Sequence, residues 1–194
     1  MEHPKPTIMY LFGGDNPWLV ESWVTSDDRV RGGKSESHLS YTSGSRDTTR
    51  FHGVLDITAL GGAGFASQRS PDLQQWDLSD FDGLRLAIGG GDGRRYTLCV
   101  KDEILPKRPD GREKSTVSWE YNFAGNRDEL VVPWRDLKPT YRGNPVPGAG
   151  SLNLSNIKRI SIMMRSFFGD QHGPFDVELG YIAAARFQEP PKVP

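Results

Sequence analysis

The segment Gly83–Lys101, GLRLAIGGGDGRRYTLCVK, decides the fold class. Apolar residues alternate with other residues from Leu84 to Ile88, and a second alternating run extends from Tyr96 to Val100. A period of two places successive side chains on opposite faces of a β-strand, whereas a helix repeats its apolar residues every three or four positions. The glycine-rich GGGDG between the two runs supplies the positive φ angles that tight turns need. The segment therefore predicts two strands joined by a hairpin turn.

The period of two recurs along most of the chain. Each run is short and closes at Gly, Pro, Asn or Asp, the residues that favour turns. Short helical turns are expected near residues 70–78 and 134–138. Many short strands with spaced turns predict an all-β fold, a two-sheet antiparallel β-sandwich or jelly roll with few short helical turns. The other alternating runs lie around residues 51–57, 65–69, 117–123, 160–164 and 175–181.

One face of each run supplies the predicted core. Apolar residues in phase on several strands are expected to face the opposite sheet and lose their exposure to solvent. The predicted core residues are Phe51, Leu55, Leu86, Ile88, Leu98, Val100, Ile160, Ile162, Val177 and Leu179.

The chain length fits one domain. A chain of 194 residues lies within the usual size of a single domain and buries enough surface for one core. No composition change marks a boundary, so we expect a single jelly-roll domain over residues 1–187. The proline-rich end, residues 188–194, is expected to be a disordered tail.

Charge and composition exclude several classes of partner. Lysine and arginine number 24 against 25 acidic residues, so the basic surplus typical of nucleic-acid-binding proteins is missing. No apolar stretch is long enough to span a bilayer. The single cysteine, Cys99, cannot form an intrachain disulfide, which suits a reducing compartment. The N-terminal residues 1–6 do not resemble a signal peptide, so we expect a cytoplasmic protein.

The sequence contains no recognisable motif for catalysis, metal binding or cofactor binding. The GGGDG run precedes a predicted strand, whereas a phosphate-binding loop needs a following helix. The four histidines share no spacing typical of metal ligands. We therefore expect no metal and no cofactor, and the sequence identifies no catalytic residue. If the protein is an enzyme, a cofactor-free cyclase or isomerase is the expected type.

Arginines beside apolar or aromatic residues are the candidate ligand-binding groups. Arg69 is in phase with Phe65 on a predicted strand, and Arg165 precedes an aromatic pair at 167–168. A guanidinium in such a place needs a partner, which is either a ligand or a loop carboxylate or carbonyl. Guanidinium groups hold carboxylates at two points, and aromatic rings add stacking area. If a ligand binds, we expect the contributing residues to be Arg69, Arg94, Trp119, Tyr121 and Arg165.

A set of short motifs in a fixed order carries a family resemblance. The motifs are Trp23 with SDDRVRGGKS (26–35), FHG (51–53), GAGFASQR (62–69), WDL (76–78), FDGL (81–84), GDGRRY (91–96), VPW (132–134), YRG (141–143) and GPF (173–175). Together they resemble the complex I intermediate-associated protein 30 family, in particular its compact stand-alone members of fungal type. The resemblance covers about residues 8–186, and Arg31 departs from it by adding a charge to the glycine loop.

The resemblance implies a galactose-binding-like jelly roll, similar in shape to some carbohydrate-binding modules. For mitochondrial members it also implies a non-catalytic chaperone role in the assembly of respiratory complex I, so a mitochondrial location is the alternative to the cytoplasm.

Three interpretations follow for this chain. A protein-binding assembly factor predicts an exposed apolar patch. A protein that binds an oxygen-rich small molecule, or a cofactor-free enzyme, predicts an aromatic-lined pocket on the concave face. A carbohydrate-binding module predicts a shallow groove with exposed Trp or Tyr rings.

Overall fold

The alternating runs form thirteen β-strands in the computed structural model, which describes residues 7–42, 44–71 and 74–187. Helical structure in these residues is limited to four 3-10 turns, so the all-β prediction is confirmed. The strands are β1 Ile8–Gly13, β2 Val24–Thr25, β3 Glu36–Tyr41, β4 Thr49–Leu55, β5 Phe65–Arg69, β6 Gly83–Gly91, β7 Arg95–Lys101, β8 Ser118–Ala124, β9 Glu129–Pro133, β10 Lys138–Tyr141, β11 Asn144–Pro145, β12 Arg159–Arg165 and β13 Gly173–Ala185.

The strands form two antiparallel sheets that pack face to face. The six-stranded sheet has the order β3-β4-β13-β6-β9, and β1 also pairs with the long strand β13. The seven-stranded sheet has the order β11-β10-β8-β7-β12-β5-β2. Neighbouring strands in space are mostly distant in sequence, which is the pattern of a sandwich and not of a simple meander.

The predicted hairpin between β6 and β7 is wrong. Strand β6 pairs with β13 and β9, whereas β7 pairs with β12 and β8, so the glycine run crosses from one sheet to the other. The glycines are still needed, because a Cβ at Gly91 would lie 2.5 Å from the carbonyl oxygen of Gly125 and Gly93 has a φ of +74°. Local turn signals are the same for a hairpin and for such a crossover, and only long-range pairing separates them.

The helical-turn predictions have different outcomes. Trp134–Asp136 forms a 3-10 turn, as predicted near residues 134–138. Residues 70–71 and 74–78 contain no helix, and Trp76 makes an isolated β-bridge with Ile157; residues 72–73 lie outside the described part of the chain. The single domain over residues 1–187 stays a prediction, and the tail at 188–194 lies outside the described residues.

The core lies between the sheets and contains all ten predicted residues. Each of them is at most 2% exposed. The core includes a cluster of aromatic rings, in which Phe12 stacks on Trp18 and meets Trp23 edge-on. The alternation of apolar residues was therefore assigned to the correct faces.

Buried carboxylates connect the edges of the two sheets at the aspartate clasp, which we define as Asp27 and Asp28. Asp27 accepts hydrogen bonds from the backbone N–H (2.9 Å) and hydroxyl (2.5 Å) of Ser37 on β3. It also accepts one from the backbone N–H of Ser67 on β5, at 2.9 Å. Since β3 and β5 belong to different sheets, one side chain fixes the distance between them.

Asp28 repeats this arrangement one residue further on. Its carboxylate accepts from the backbone N–H (3.0 Å) and hydroxyl (2.8 Å) of Ser35, and from the backbone N–H of Phe65 at 3.0 Å. A Cβ at Gly33 would lie 2.2 Å from the Asp28 carboxyl carbon, so only glycine fits beside it. The SDDRVRGGKS motif is thus explained by burial of two carboxylates with their donors.

Removal of core volume is expected to destabilise the fold. Leu98→Ala should lower the free energy of unfolding by about 2–5 kcal/mol, because the surrounding strands cannot close the cavity. Chemical denaturation measures the loss. Val131→Ala, at an exposed position on β9, is the control and should change stability by less than about 1 kcal/mol. A loss at Leu98 as small as that of the control would contradict the assigned strand face.

The clasp is expected to depend on carboxylate chemistry and not only on shape. Asp28→Asn keeps the size of the side chain but turns an amide donor towards another donor. The free energy of unfolding should fall by about 1.5–3 kcal/mol, the usual contribution of hydrogen bonds to a charged group. Asp15→Asn, on an exposed loop, is the control. Equal denaturation midpoints for the two variants would show that the clasp is dispensable.

Candidate functional site

A groove of about 770 Å³ lies on the outer face of the seven-stranded sheet, away from the core. Strand alternation builds its floor, because every second residue of β5, β7, β8 and β12 points outwards. Loops around residues 30–31, 63–64, 113–116, 142–143 and 166–168 form its walls. Although they face outwards, several floor residues are buried by these walls: Ser67, Arg69, Cys99, Arg159 and Ser161.

The groove is strongly cationic in a protein whose formal net charge is −1. Among the described residues, eight lysines or arginines line it against three acidic residues, a formal excess of five positive charges. Positive charges concentrated in a concave surface raise the local concentration of anions and steer them inwards. The cations are Arg31, Arg69, Lys101, Lys114, Lys138, Arg142, Arg159 and Arg165, and the acids are Glu113, Glu120 and Asp136.

Two arginines hold one carboxylate at the end of the groove that we call the arginine end, formed by Arg69, Arg159 and Glu113. The Arg159 guanidinium donates to both carboxylate oxygens of Glu113, at 2.8 and 3.1 Å. Arg69 Nη2 lies 3.0 Å from Glu113 Oε1. The arginine side chains are 9% (Arg69) and 6% (Arg159) exposed, but that of Glu113 is 36% exposed. The cations thus belong to the floor, and the carboxylate enters from a surface loop.

A third cation lies near the arginine end. Lys101 pairs with Arg159 in the β7–β12 register, and its Nζ donates to the carbonyl (3.3 Å) and hydroxyl (3.0 Å) oxygens of Thr116. Burial lowers the pKa of the Lys101 amine, Arg159 lowers it further, and the carboxylates of Glu113 and Glu120 oppose this. Among the described residues, the three cations Arg69, Lys101 and Arg159 therefore lie near the two carboxylates Glu113 and Glu120.

The middle of the groove contains a tighter pair and the single thiol. Arg165 Nη2 donates to Glu120 Oε2 at 2.6 Å. The Nε of Arg165 is buried and has no hydrogen-bond partner among the described residues. Burial, and then the negative charge of Glu120, raise the pKa of the Cys99 thiol to about 12. Cys99 is therefore a protonated thiol and a poor nucleophile.

Aromatic and aliphatic side chains form the opposite end of the groove, the apolar rim, defined by Val30, Phe65, Phe167 and Phe168. Phe168 is 92% exposed and Val30 is 70% exposed. The guanidinium of Arg95 lies 3.7 Å from the centroid of the Phe167 ring. The rim therefore combines a fixed aromatic ring with a neighbouring ring that projects into solvent.

The backbone of Phe167 and Phe168 explains this projection. Both residues have positive φ, +48° and +63°, a conformation that disfavours side chains with a Cβ. Hydrogen bonds to the Ser166 carbonyl from the N–H groups of Gly169 (3.1 Å) and Gln171 (3.2 Å) close the turn. The Gln171 amide adds bonds to the backbone. Phe168 is thus held outwards by a closed turn.

The structure brings three of the five predicted site residues to the groove. Arg69, Tyr121 and Arg165 line it, although Tyr121 also packs against the core. Trp119 lies in the core, because Glu120 occupies the outward position of β8. Arg94 is elsewhere, with an Nη1 hydrogen bond to the carbonyl of His172 at 2.7 Å.

Sequence reasoning missed Lys101, Glu113, Arg159 and Phe168. Arg159 is in phase with Arg165 on one strand and could have been found by that spacing. Glu113 offers no such signal, because it lies in an irregular loop.

A second depression, of about 470 Å³, lies over the six-stranded sheet. His38 and His52 pair across β3 and β4 with ring centroids 5.5 Å apart. Burial lowers the pKa of His52, as do the neighbouring His38 and Arg50. No cluster of three or more potential metal ligands occurs in the described residues, and these residues include no helix of the length and apolarity needed to cross a bilayer.

Comparison with solved structures shows the fold. The family 11 carbohydrate-binding module of cellulase Lic26A-Cel5E from Clostridium thermocellum has a TM-score of 0.64 at 13% identity, covering 94% of this chain and 96% of the module. A family 30 carbohydrate-binding module has a TM-score of 0.52 at 13% identity, covering 98% and 94%. The fold is therefore a galactose-binding-like jelly roll.

Sequence comparison shows the family. The chain is 40% identical over 184 residues to a Schizosaccharomyces pombe protein, Uncharacterized protein C9E9.15, covering 91% of this chain and 84% of that protein. Residues 11–179 match the profile of Complex I intermediate-associated protein 30. The chain therefore belongs to the complex I intermediate-associated protein 30 family.

Proposed function

We propose that this protein is a non-catalytic, protein-binding assembly factor whose partner docks over the groove. Family membership supports an assembly role, and the observation that carries the proposal is the exposed ring of Phe168 beside a cationic groove. Aromatic residues that bury a large area at little entropic cost are frequent anchors of protein interfaces.

The backbone at Phe168 supports an interface role. A non-glycine residue with positive φ costs about 1–2 kcal/mol, yet two occur in succession at Phe167 and Phe168. Strain of this kind is common at binding sites, where it holds a side chain in place for its partner. An exposed ring gains nothing for the isolated fold, so we infer that its position is used in binding.

Charge complementarity favours an acidic segment of the partner. The described residues of the groove carry a formal excess of five positive charges, and the groove is open to solvent along the sheet. An acidic, extended polypeptide with an apolar side chain at one end matches both the arginine end and the apolar rim. The electrostatic attraction between this acidic segment and the cationic groove would raise the rate of association more than the final affinity.

The groups on the groove face support binding over catalysis. Cys99 is protonated at neutral pH, and Arg159 and Arg165 are already paired with carboxylates. A general base near neutrality or an activated nucleophile is what catalysis without a cofactor requires. The arrangement instead offers fixed hydrogen-bond donors and charge.

The second candidate ligand is a small molecule that bears a carboxylate or is rich in oxygen. The protein would then either bind this molecule or also act on it as a cofactor-free cyclase or isomerase. A volume of about 770 Å³ with converging polar groups falls within the range of small-molecule sites.

A carbohydrate ligand has less support, although the solved structures with a similar fold include carbohydrate-binding modules. All five tryptophans lie in the core or pack against it, so none offers an exposed platform in the groove.

We propose the cytoplasm as the location, since a lone, buried thiol suits a reducing compartment. Mitochondrial targeting, which the family name suggests, is the alternative that microscopy of a fluorescent fusion would decide.

Relief of the strain is expected to increase stability and weaken binding together. Phe168→Gly should raise the free energy of unfolding by about 1 kcal/mol, because glycine adopts positive φ without penalty. The same change removes the anchor ring and should abolish partner binding. Phe168→Ala, which keeps the strain, should lose binding without the gain in stability. A glycine variant that keeps full partner binding would contradict the interface role.

Site-specific crosslinking tests the docking surface in cells. A photoreactive phenylalanine at position 168 should give a defined adduct with one partner protein, identified by mass spectrometry. The matched control is position 19, where Leu19 is 52% exposed outside the groove and should give no such adduct. Whether that partner accumulates in an unassembled form after gene deletion tests the assembly role. Equal adducts at both positions would overturn the docking surface.

A further inference from the structure

We propose that Arg69 and Arg159 form a carboxylate-binding site that Glu113 occupies in the free protein. An acidic side chain in the partner's extended segment then takes the place of Glu113 and releases its loop. This proposal rests on the proposed function for the identity of the partner, and it adds the chemistry that the groove recognises and a contact that blocks it.

The first observation is the unequal burial of the two sides of the ion pair. Both arginine side chains are more than nine-tenths buried in the floor of the sheet, whereas the Glu113 side chain is 36% exposed. Buried guanidinium groups need a permanent partner, because leaving them unpaired is costly. An exposed carboxylate on a loop meets that need but can be exchanged for another carboxylate. The arginines would remain paired throughout the exchange.

The second observation is the character of the loop between β7 and β8. Residues 105–114 are all exposed to solvent. The turn inside this stretch is closed by its own backbone hydrogen bonds, from Arg108 N–H to Arg112 O at 2.8 Å and from Gly111 N–H to Arg108 O at 2.9 Å. It can therefore move as a unit without breaking a strand. Its release would regain conformational entropy that offsets part of the cost of binding.

The third observation is the surplus of cations around the arginine end. Lys101 interacts electrostatically with Arg159, Glu113 and Glu120. Together with Arg69 and Arg165, the described residues place four cations around two carboxylates, Glu113 and Glu120. A site with this balance attracts further negative charge. Its two guanidinium groups present the forked geometry that fits a carboxylate better than a single hydroxyl does.

The position of the loop makes the exchange a regulatory contact. Glu113, Lys114 and Ser115 all line the groove, and Arg142, in the turn between β10 and β11, donates to the Ser115 hydroxyl at 3.2 Å. With Glu113 seated, the loop narrows the groove at its cationic end. With Glu113 displaced, that end becomes accessible to a chain that already contacts the apolar rim.

The test uses purified full-length protein and a fluorescein-labelled octapeptide of glutamate, with the glutamine octapeptide as the uncharged probe. Fluorescence anisotropy should show that Glu113→Gln binds the glutamate peptide about 5- to 20-fold more tightly than the original protein, because the internal competitor is weakened. Asp110→Asn is the matched control, since it removes a carboxylate from the same exposed loop, and should leave affinity unchanged. Arg159→Met should weaken binding at least about 10-fold.

Loop release has its own readout. Trypsin should cut after Lys107, Arg112 and Lys114 several-fold faster in Glu113→Gln than in the original protein. Adding the glutamate peptide to the original protein should produce the same acceleration. Circular dichroism confirms that each variant is folded. Glu113 is on an exposed loop, so we expect Glu113→Gln to fold. The test therefore remains valid even if Arg159→Met does not fold.

Three outcomes would overturn the inference. The first is equal affinity of Glu113→Gln and Asp110→Asn for the glutamate peptide. The second is equal binding of the glutamate and glutamine peptides. The third is binding of free glutarate without binding of the peptide, which would identify a small molecule as the source of the carboxylate. If any of these outcomes occurs while the crosslink at position 168 persists, the docking surface stands and only this inference fails. If the crosslink is lost while Glu113→Gln still binds the glutamate peptide more tightly, only the identity of the partner as a protein docked at Phe168 is overturned.

Discussion

Burial of two adjacent carboxylates is the constraint on which the rest of this structure depends. Asp27 and Asp28 are removed from solvent, so every oxygen needs donors. These come from Ser37 on β3 and Ser35 just before it on one side, and from β5 on the other. A carboxylate buried without its donors would cost several kcal/mol. The two sheets are consequently held at one separation along this edge, and the glycine at position 33 is required by the same contact.

The clasp also sets the shape of the groove. The 3-10 turn that begins at Asp28 carries Val30 and Arg31 onto the apolar rim, where the Arg31 guanidinium lies 5.4 Å from the centroid of the Phe65 ring. Phe65 itself donates its backbone N–H to Asp28. One end of the groove is therefore built by the same hydrogen bonds that join the sheets. A change that loosens the clasp should disturb stability and the site together.

The concentration of positive charge on one outer face of the sandwich is what distinguishes the groove. The whole chain has almost equal numbers of acids and bases, yet the described part of the groove contains eight cations and three anions. Strand alternation sends the apolar set into the core and the arginines and lysine to the outer face. Because those cations are partly covered by loops, they need counter-charges, and Glu113 and Glu120 supply them. A binding surface and an internal competitor thus arise from one requirement, the pairing of buried charge.

The sequence by itself determined the all-β class, the ten core residues and the family, because a period of two and ordered motifs are local properties of the chain. It also indicated Arg69 and Arg165 as arginines on strands that need partners. Only the tertiary structure decided that the glycine run between β6 and β7 crosses between sheets, that Trp119 faces the core, and that Glu113 reaches Arg159 across 46 residues. The physical reason is that strand pairing and charge pairing over such distances depend on which sheet each strand joins, and turn residues do not encode that choice.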